Sequence, residues 1–141
     1  MSVLKTPDWF AVDWGTSNLR AYAMQGARMM AHTASTSGMS SLTPDGYHQA
    51  LEALLAQWDA PDIPVIACGM VGSRQGWVEA PYRTVPCMPL ADHLARVPNS
   101  GRRAVFVVPG LSQGTPPDVM RGEETQIAGF LALNPGWDGV L

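Results

Sequence analysis

Trp9-Phe10-Ala11-Val12-Asp13-Trp14-Gly15-Thr16-Ser17-Asn18-Leu19-Arg20-Ala21-Tyr22-Ala23-Met24 is the stretch from which the rest of the chain is organised. Its first four residues form a short apolar run rich in β-formers. Its last six alternate loosely, and the small residues between them suit a tight turn. The pattern predicts strand, turn, strand. A second turn at Gln25-Gly26-Ala27 leads into residues 28–35, which read as a third antiparallel strand, and Ser37-Gly38-Met39-Ser40-Ser41 then reads as loop. An N-terminal antiparallel meander is the expected result.

Beyond the meander, Thr43-Pro44-Asp45-Gly46-Tyr47 carries the signals of a helix start, with Thr43 as cap and proline at the first position. Tyr47, Leu51, Leu54, Leu55 and Trp58 then fall on one helical face, and Pro61 and Pro64 end the element. Residues 65–72 lack polar alternation and read as a strand buried on both faces, as in a parallel sheet covered by helices. Residues 77–98 are irregular, with Pro81, Pro86 and Pro89 spacing short extended pieces and a short helix expected over 91–96. This region suits a substrate loop. Residues 103–108 predict another strand, and 111–119 a long polar loop of the kind compact domains keep for function. A second helix is expected from about Gly122-Glu123-Glu124-Thr125, with Ile127, Phe130, Leu131 and Leu133 as its apolar stripe. Gly136-Trp137-Asp138-Gly139-Val140-Leu141 reads as a turn leading into a new strand, so the natural protein is expected to continue. The order of elements is that of an α/β protein with a mixed sheet.

With 141 residues, 46% of them hydrophobic and 15% charged, the chain can bury one core without metals or disulfides. A net charge of −3 with scattered basic residues gives no footprint for nucleic acid. Cys68 and Cys87 lack a second cysteine or histidine at metal-ligand spacing and read as reduced thiols, which fits a cytoplasmic protein. Lys5, Pro7 and Asp8 before a short apolar run match neither a signal peptide nor a bilayer span, so no membrane is expected. His32, His48 and His93 read as surface or helix residues, and the methionines as core or gap-filling side chains.

The chemistry concentrates at the first turn. Asp13 ends a strand, and Gly15, Thr16, Ser17 and Asn18 follow before Arg20 on the returning strand. Such a turn presents backbone N–H groups and hydroxyls as an anion-binding concavity, and the aspartate can hold a hydrated magnesium ion. An ordinary hairpin closed by an Asx-type turn accounts for the same residues. Neither the P-loop Gly-x-x-x-x-Gly-Lys-(Ser/Thr) nor Gly-x-Gly-x-x-Gly occurs.

In its setting, Asp13-Trp14-Gly15-Thr16-Ser17-Asn18 between two N-terminal strands resembles the first phosphate loop of the actin, heat-shock chaperone and sugar kinase superfamily. Three later blocks sharpen the likeness. They are Gly69-Met70-Val71-Gly72-Ser73-Arg74-Gln75-Gly76-Trp77, Glu79-Ala80-Pro81-Tyr82, and Val108-Pro109-Gly110-Leu111 with Asp118-Val119-Met120-Arg121-Gly122-Glu123-Glu124-Thr125-Gln126. Together the four blocks are similar to the 2-dehydro-3-deoxygalactonokinases, over nearly the whole chain. The resemblance implies a ribonuclease-H-like lobe that works with ATP and Mg2+ on 2-dehydro-3-deoxy-D-galactonate, forming the 6-phosphate in galactonate breakdown. Another sugar or sugar-acid kinase of the superfamily, or a nucleotide-binding lobe without transferase activity, is the alternative.

Within that resemblance, Asp13, Gly15, Thr16, Ser17, Asn18 and Arg20 would serve the nucleotide phosphates, with Asp13 also at the metal; Arg20 could instead simply pair with Asp13. Glu123 is the first choice for the base that takes the proton of the accepting hydroxyl, and Glu124 the second. Acids complementing a helix dipole explain the same pair. Ser73, Arg74, Gln75, Trp77 and Arg121 would meet the sugar acid, whose carboxylate and keto group call for a cation and several donors. Residues 1–110 would form the phosphate- and sugar-binding lobe, and 111–141 the connection to a nucleotide-binding lobe whose adenosine pocket would follow Leu141. The chain alone is then expected to be inactive as a kinase. A homo-oligomer is left open.

Overall fold

Antiparallel pairing organises the first third of the protein. The computed structural model describes residues 6–141. Strand β1 (Trp9–Trp14) pairs with β2 (Leu19–Gln25), and β2 with β3 (Arg28–Ser35), so the expected meander forms. Helix α1 (Tyr47–Leu55) follows, then β4 (Val65–Cys68), which lies parallel to β1. Short strands β5 (Arg83–Thr84) and β6 (Ala95–Arg96) precede β7 (Val105–Val107), which is parallel to β4. Strands β8 (Leu111–Gln113) and β9 (Asp118–Met120) form a hairpin, and α2 (Glu123–Leu133) comes last. The main sheet is mixed, in the order β3-β2-β1-β4-β7-β6, and a second sheet has the order β5-β8-β9. This is a mixed α/β fold.

Strand alternation decides what the main sheet does with each face. Phe10, Val12 and Trp14 of β1, Leu19, Ala21 and Ala23 of β2, Val65 and Ala67 of β4, and Val105 and Val107 of β7 are all buried, together with Tyr47, Leu51 and Leu55 of α1. Leu54 and Trp58 pack on this core from its margin, Trp58 with its ring 5.3 Å from that of Phe10. The opposite face carries Ala11, Asp13, Tyr22, Ile66 and Cys68, none of them fully buried, along a groove of about 540 Å³. Strand β4 is therefore sealed on one face only.

Several local expectations are corrected. Helix α1 begins at Tyr47 with Gly46 as its cap residue and no side-chain cap bond; Thr43 contributes its carbonyl to the Gly46 N–H at 2.9 Å, closing a turn before the helix. Strand β4 stops at Cys68, because Gly69 takes φ +103° and turns the chain into a single 3₁₀ turn at Met70–Gly72. Residues 91–96 do not form a helix. Ala95 and Arg96 instead pair with the otherwise free edge of β7, and the Val97 N–H donates to the Val105 carbonyl at 2.9 Å, which supplies main-chain partners a short helix would have lacked at its ends. The loop expected over 111–119 is the β8–β9 hairpin. Helix α2 forms where expected, but its stripe is not a core face: Glu124 is its one buried residue, and Leu133 is 84% exposed. Residues 136–141 form turn and coil, with no strand. Met29 and Met88 are exposed, whereas Met39 packs against the core.

Arg103, read from sequence only as a strand start, is a buried cation. Its Nε and Nη2 donate to both carboxylate oxygens of Glu52 on α1, at 2.7 and 3.1 Å, and its Nη1 donates to the Ile63 carbonyl at 2.7 Å. The guanidinium also lies 5.6 Å from the Phe10 ring centre. Removing one partner of such a pair leaves the other charge without compensation. Arg103→Leu is therefore expected to destabilise the fold by about 3 kcal/mol, checked by urea denaturation. A change too small to resolve would show that α1 is held by its apolar face alone.

Candidate active site

The 15–18 turn takes its shape from two sets of hydrogen bonds. The Gly15 N–H donates to the Asn18 carbonyl at 2.9 Å, closing the turn between β1 and β2. On the inner side, the Gly15 carbonyl accepts from the Met39 N–H and the Thr16 carbonyl from the Ser40 N–H, both at 2.9 Å, while Ser40 Oγ adds a bond to the Thr16 carbonyl at 2.8 Å. The N–H groups of Thr16, Ser17 and Asn18 find no acceptor among the described residues. Together with Asp13 and Arg20, residues 15–18 line an open cavity of about 220 Å³. Unspent backbone donors beside a cation form an anion-receptive concavity. Asp13 and Arg20 are cross-strand neighbours. They form no ion pair among the described residues, so the simple pairing that the sequence allowed is not made.

Two glycines bring the start of α2 to this strand end. A β-carbon on Gly69 would lie 2.7 Å from the Trp14 carbonyl oxygen and 3.4 Å from Asp13 Oδ1, so β4 can turn this close to β1 only with glycine there. Gly122, at φ +106°, has its missing β-carbon position 3.6 Å from the Gly69 Cα. Helix α2 thus begins against the carboxyl ends of β1 and β4. Glu123 is exposed there. Glu124 is fully buried; its Oε2 accepts from the Gly122 N–H at 2.7 Å, and its Oε1 has no partner among the described residues. Burial pushes the Glu124 carboxyl above its ordinary value, with the neighbouring Glu123 charge acting the same way. The two glutamates therefore differ in kind: one is a free acid at the surface, the other a buried carboxyl tied to the turn.

Cys68 lies in the same corner. Burial first, then the Asp13 charge, pushes its thiol up to about 12, so it is neutral and poorly nucleophilic at ordinary pH. Both cysteines are unpaired. Among the described residues no group of three or more His, Cys, Asp or Glu side chains could hold a metal ion. Among the described residues, Asp13 is the only carboxylate lining the hairpin cavity.

The residues expected to meet a sugar acid lie along the 73–77 loop and beside it, where Arg121 Nη1 would be 2.8 Å from a β-carbon on Gly72. Ser73 Oγ approaches Met39 Sδ at 3.6 Å, which puts it just behind the 15–18 turn. Gln75 is exposed and its carbonyl accepts from the Tyr47 hydroxyl at 3.3 Å. Trp77 stacks on Tyr47 at 6.0 Å and meets Trp14 edge-on at 5.8 Å, so much of its ring goes to the core margin. Arg74 projects into solvent, 89% exposed and 4.0 Å from Glu79. Arg121 bonds the Ala80 carbonyl at 2.6 Å, its guanidinium 4.2 Å from the Tyr82 ring centre. Sequence reasoning missed Gly38, Met39, Ser40 and Gly69 as parts of the site. Only the glycine after an apolar run at Cys68 offered a signal for Gly69, and the others act on the turn mainly through their main chain, with Ser40 Oγ adding one side-chain bond, which leaves no pattern.

Fold and site together define a mixed α/β domain whose strand ends carry an anion-receptive hairpin facing an acidic helix start. The chain belongs to the 2-keto-3-deoxy-galactonokinase family, whose model it matches over residues 13–141. It is 41% identical over 128 residues to a probable 2-dehydro-3-deoxygalactonokinase of Rhizobium meliloti, a match that takes in 86% of this chain and 42% of that protein. To the 2-dehydro-3-deoxygalactonokinase of Escherichia coli it is 36% identical over 134 residues, covering 92% of this chain and 44% of the other. A crystal structure of a protein from Sinorhizobium meliloti assigned as a 2-dehydro-3-deoxygalactonokinase superposes with a TM-score of 0.79 at 38% identity, covering 88% of this chain and 42% of that one. The chain thus spans less than half the length of the curated relatives it matches. Among the described residues no helix is long and apolar enough to cross a membrane.

Proposed function

We propose that this chain is the first lobe of an ATP-dependent kinase that phosphorylates 2-dehydro-3-deoxy-D-galactonate on its terminal hydroxyl. The observation that carries the proposal is the meeting of two devices at one strand end: a turn with three unspent N–H donors, and the acidic start of α2, joined through Gly69 and Gly122. Residues 1–110 are the phosphate- and sugar-binding lobe, and 111–141 lead into a second lobe. The sheet order β3-β2-β1-β4-β7, antiparallel up to β1 and parallel beyond it, supports a ribonuclease-H-like assignment.

In this reading Thr16, Ser17 and Asn18 donate backbone N–H groups to nucleotide phosphates, Gly15 lets the chain approach them, and Arg20 offsets their charge. The donor set fits ATP with magnesium: one carboxylate, Asp13, borders the cavity, and magnesium takes few protein ligands and keeps phosphates and water for the rest. When bound, the magnesium nucleotide supplies the phosphoryl group and screens its charge. Glu123, exposed at the head of α2, takes the proton of the accepting hydroxyl. Glu124 is the alternative, and its hold on the Gly122 N–H suits it better to fixing the turn that aims Glu123. Ser73, Gln75 and the exposed Arg74 contact the sugar acid, Trp77 backs them, and Arg121 acts by bracing the loop at Ala80. The unpaired cysteines support a cytoplasmic setting.

The test is turnover of the full-length protein with 2-dehydro-3-deoxygalactonate, its gluconate epimer and glycerol. Preference for the first is expected. Equal or faster turnover of either of the others would overturn the substrate assignment.

A further inference from the structure

We infer that residues 37–41, centred on Gly38, are the positioning strap that sets the anion-gripping form of the 15–18 turn and couples it to the loop bearing Ser73. The inference rests on the reading of that turn as a phosphate loop, and it concerns the segment that bonds the turn from its inner side. Its physical basis is the planarity of the peptide unit. In a trans peptide the carbonyl and the following N–H point in opposite directions. Binding the Gly15 carbonyl from the Met39 N–H therefore aims the Thr16 N–H the other way, and binding the Thr16 carbonyl from Ser40 does the same for the Ser17 N–H. The outward donors are outward because the strap holds their partner carbonyls inward.

The strap is itself well anchored. Trp14, buried in the core, donates its indole N–H to the Ser37 carbonyl at 3.0 Å. Ser41 N–H and Oγ both donate to the Gly38 carbonyl, at 3.1 and 2.9 Å, and Leu42 N–H donates to the Met39 carbonyl at 3.2 Å. Gly38 is buried and lies directly under the turn: a β-carbon there would overlap Ser17 C, Thr16 O and Asn18 N, all of them backbone atoms. Its φ of −66° is open to any residue, so close approach, not backbone conformation, requires glycine at 38. On its other side, Met39 Sδ receives the Ser73 hydroxyl at 3.6 Å. The strap is thus a continuous path from the sugar-side loop to the phosphate turn.

The experiment is an NMR titration of the chain with magnesium pyrophosphate, comparing wild type with Gly38→Ala, Ser40→Ala and Asp13→Asn. Gly38→Ala is expected to shift the Thr16 and Ser17 amide resonances and to weaken pyrophosphate binding about tenfold or more, with the β1 and β4 amides unmoved. Ser40→Ala, which deletes only the hydroxyl bond to the Thr16 carbonyl, should give a smaller shift at the same two amides. It carries the test alone if Gly38→Ala does not fold. Unmoved Thr16 and Ser17 amides in the folded variants would overturn the strap. Failure of the phosphate-loop reading looks different: wild type and Asp13→Asn would then show the same pyrophosphate response, or none, whatever the strap variants do to the amides.

Discussion

Glu123→Gln is expected to lower kcat of the full-length protein by about 10²–10⁴-fold with nucleotide affinity little changed. Glutamine keeps the size and polarity of the side chain but cannot take a proton, and Glu123 sits exposed at the head of α2, where it forms no salt bridge among the described residues. The variant should therefore fold normally, and its loss should appear in kcat rather than in KM. Glu124→Gln is the matched comparison. It retains an oxygen for the Gly122 N–H and removes a carboxyl whose burial disfavours the charged form, so stability should not fall at neutral pH. If the two variants exchanged these behaviours, with Glu124→Gln losing turnover and Glu123→Gln retaining it, the base would be Glu124. Unchanged turnover in both would remove the helix start from the chemistry, leaving the dipole as the reason for the acidic pair.

Asp13→Asn is the second large effect. Turnover is expected to drop by about 10²–10³-fold, with an accompanying rise in the magnesium concentration needed for half-maximal rate. Among the described residues, Asp13 is the only carboxylate that lines the hairpin cavity, so its charge is the one placed to meet a cation there. The substitution also removes the negative charge that helps to push up the Cys68 thiol. A faster reaction of Cys68 with iodoacetamide in the folded variant would report that change without any assay of turnover. Normal turnover and an unaltered magnesium requirement would exclude Asp13 from the phosphate site.

How far these roles could be read before the fold was known differed from element to element. The meander was legible because residues 9–12 are a short apolar run of β-formers, residues 19–24 alternate loosely, and small residues separate the two at the turn. α1 was legible from Tyr47, Leu51 and Leu55, since a helix that covers a sheet must show a stripe. The pieces at 91–96 and 111–119 were not. Strands of two or three residues have no period to detect, and they exist because an edge of β7 and the backbone near Arg83 accept them. The stripe on α2 misled for a related reason: Phe130 meets only the nearby Trp137 ring among the described aromatic pairs and no stripe residue is fully buried, so the spacing describes the helix but not a core that it packs on.

The same division runs through the site. Asp13, the small residues after it and the glutamate pair are chemical types at readable spacings, and residue chemistry is local to the sequence. Whether the turn was a phosphate loop or a plain hairpin could not be decided there, since both use the same residues. The tertiary structure added what spacing does not carry, namely carbonyls held inward by Met39 and Ser40, a strand turned at Gly69, and a helix start brought against the end of β4 through Gly122. It also set the Arg121 guanidinium against the Ala80 carbonyl. Residue type and periodicity are carried along the chain, whereas the direction of an N–H or a guanidinium is set by what lies across from it, and those partners stand 23 to 41 residues away.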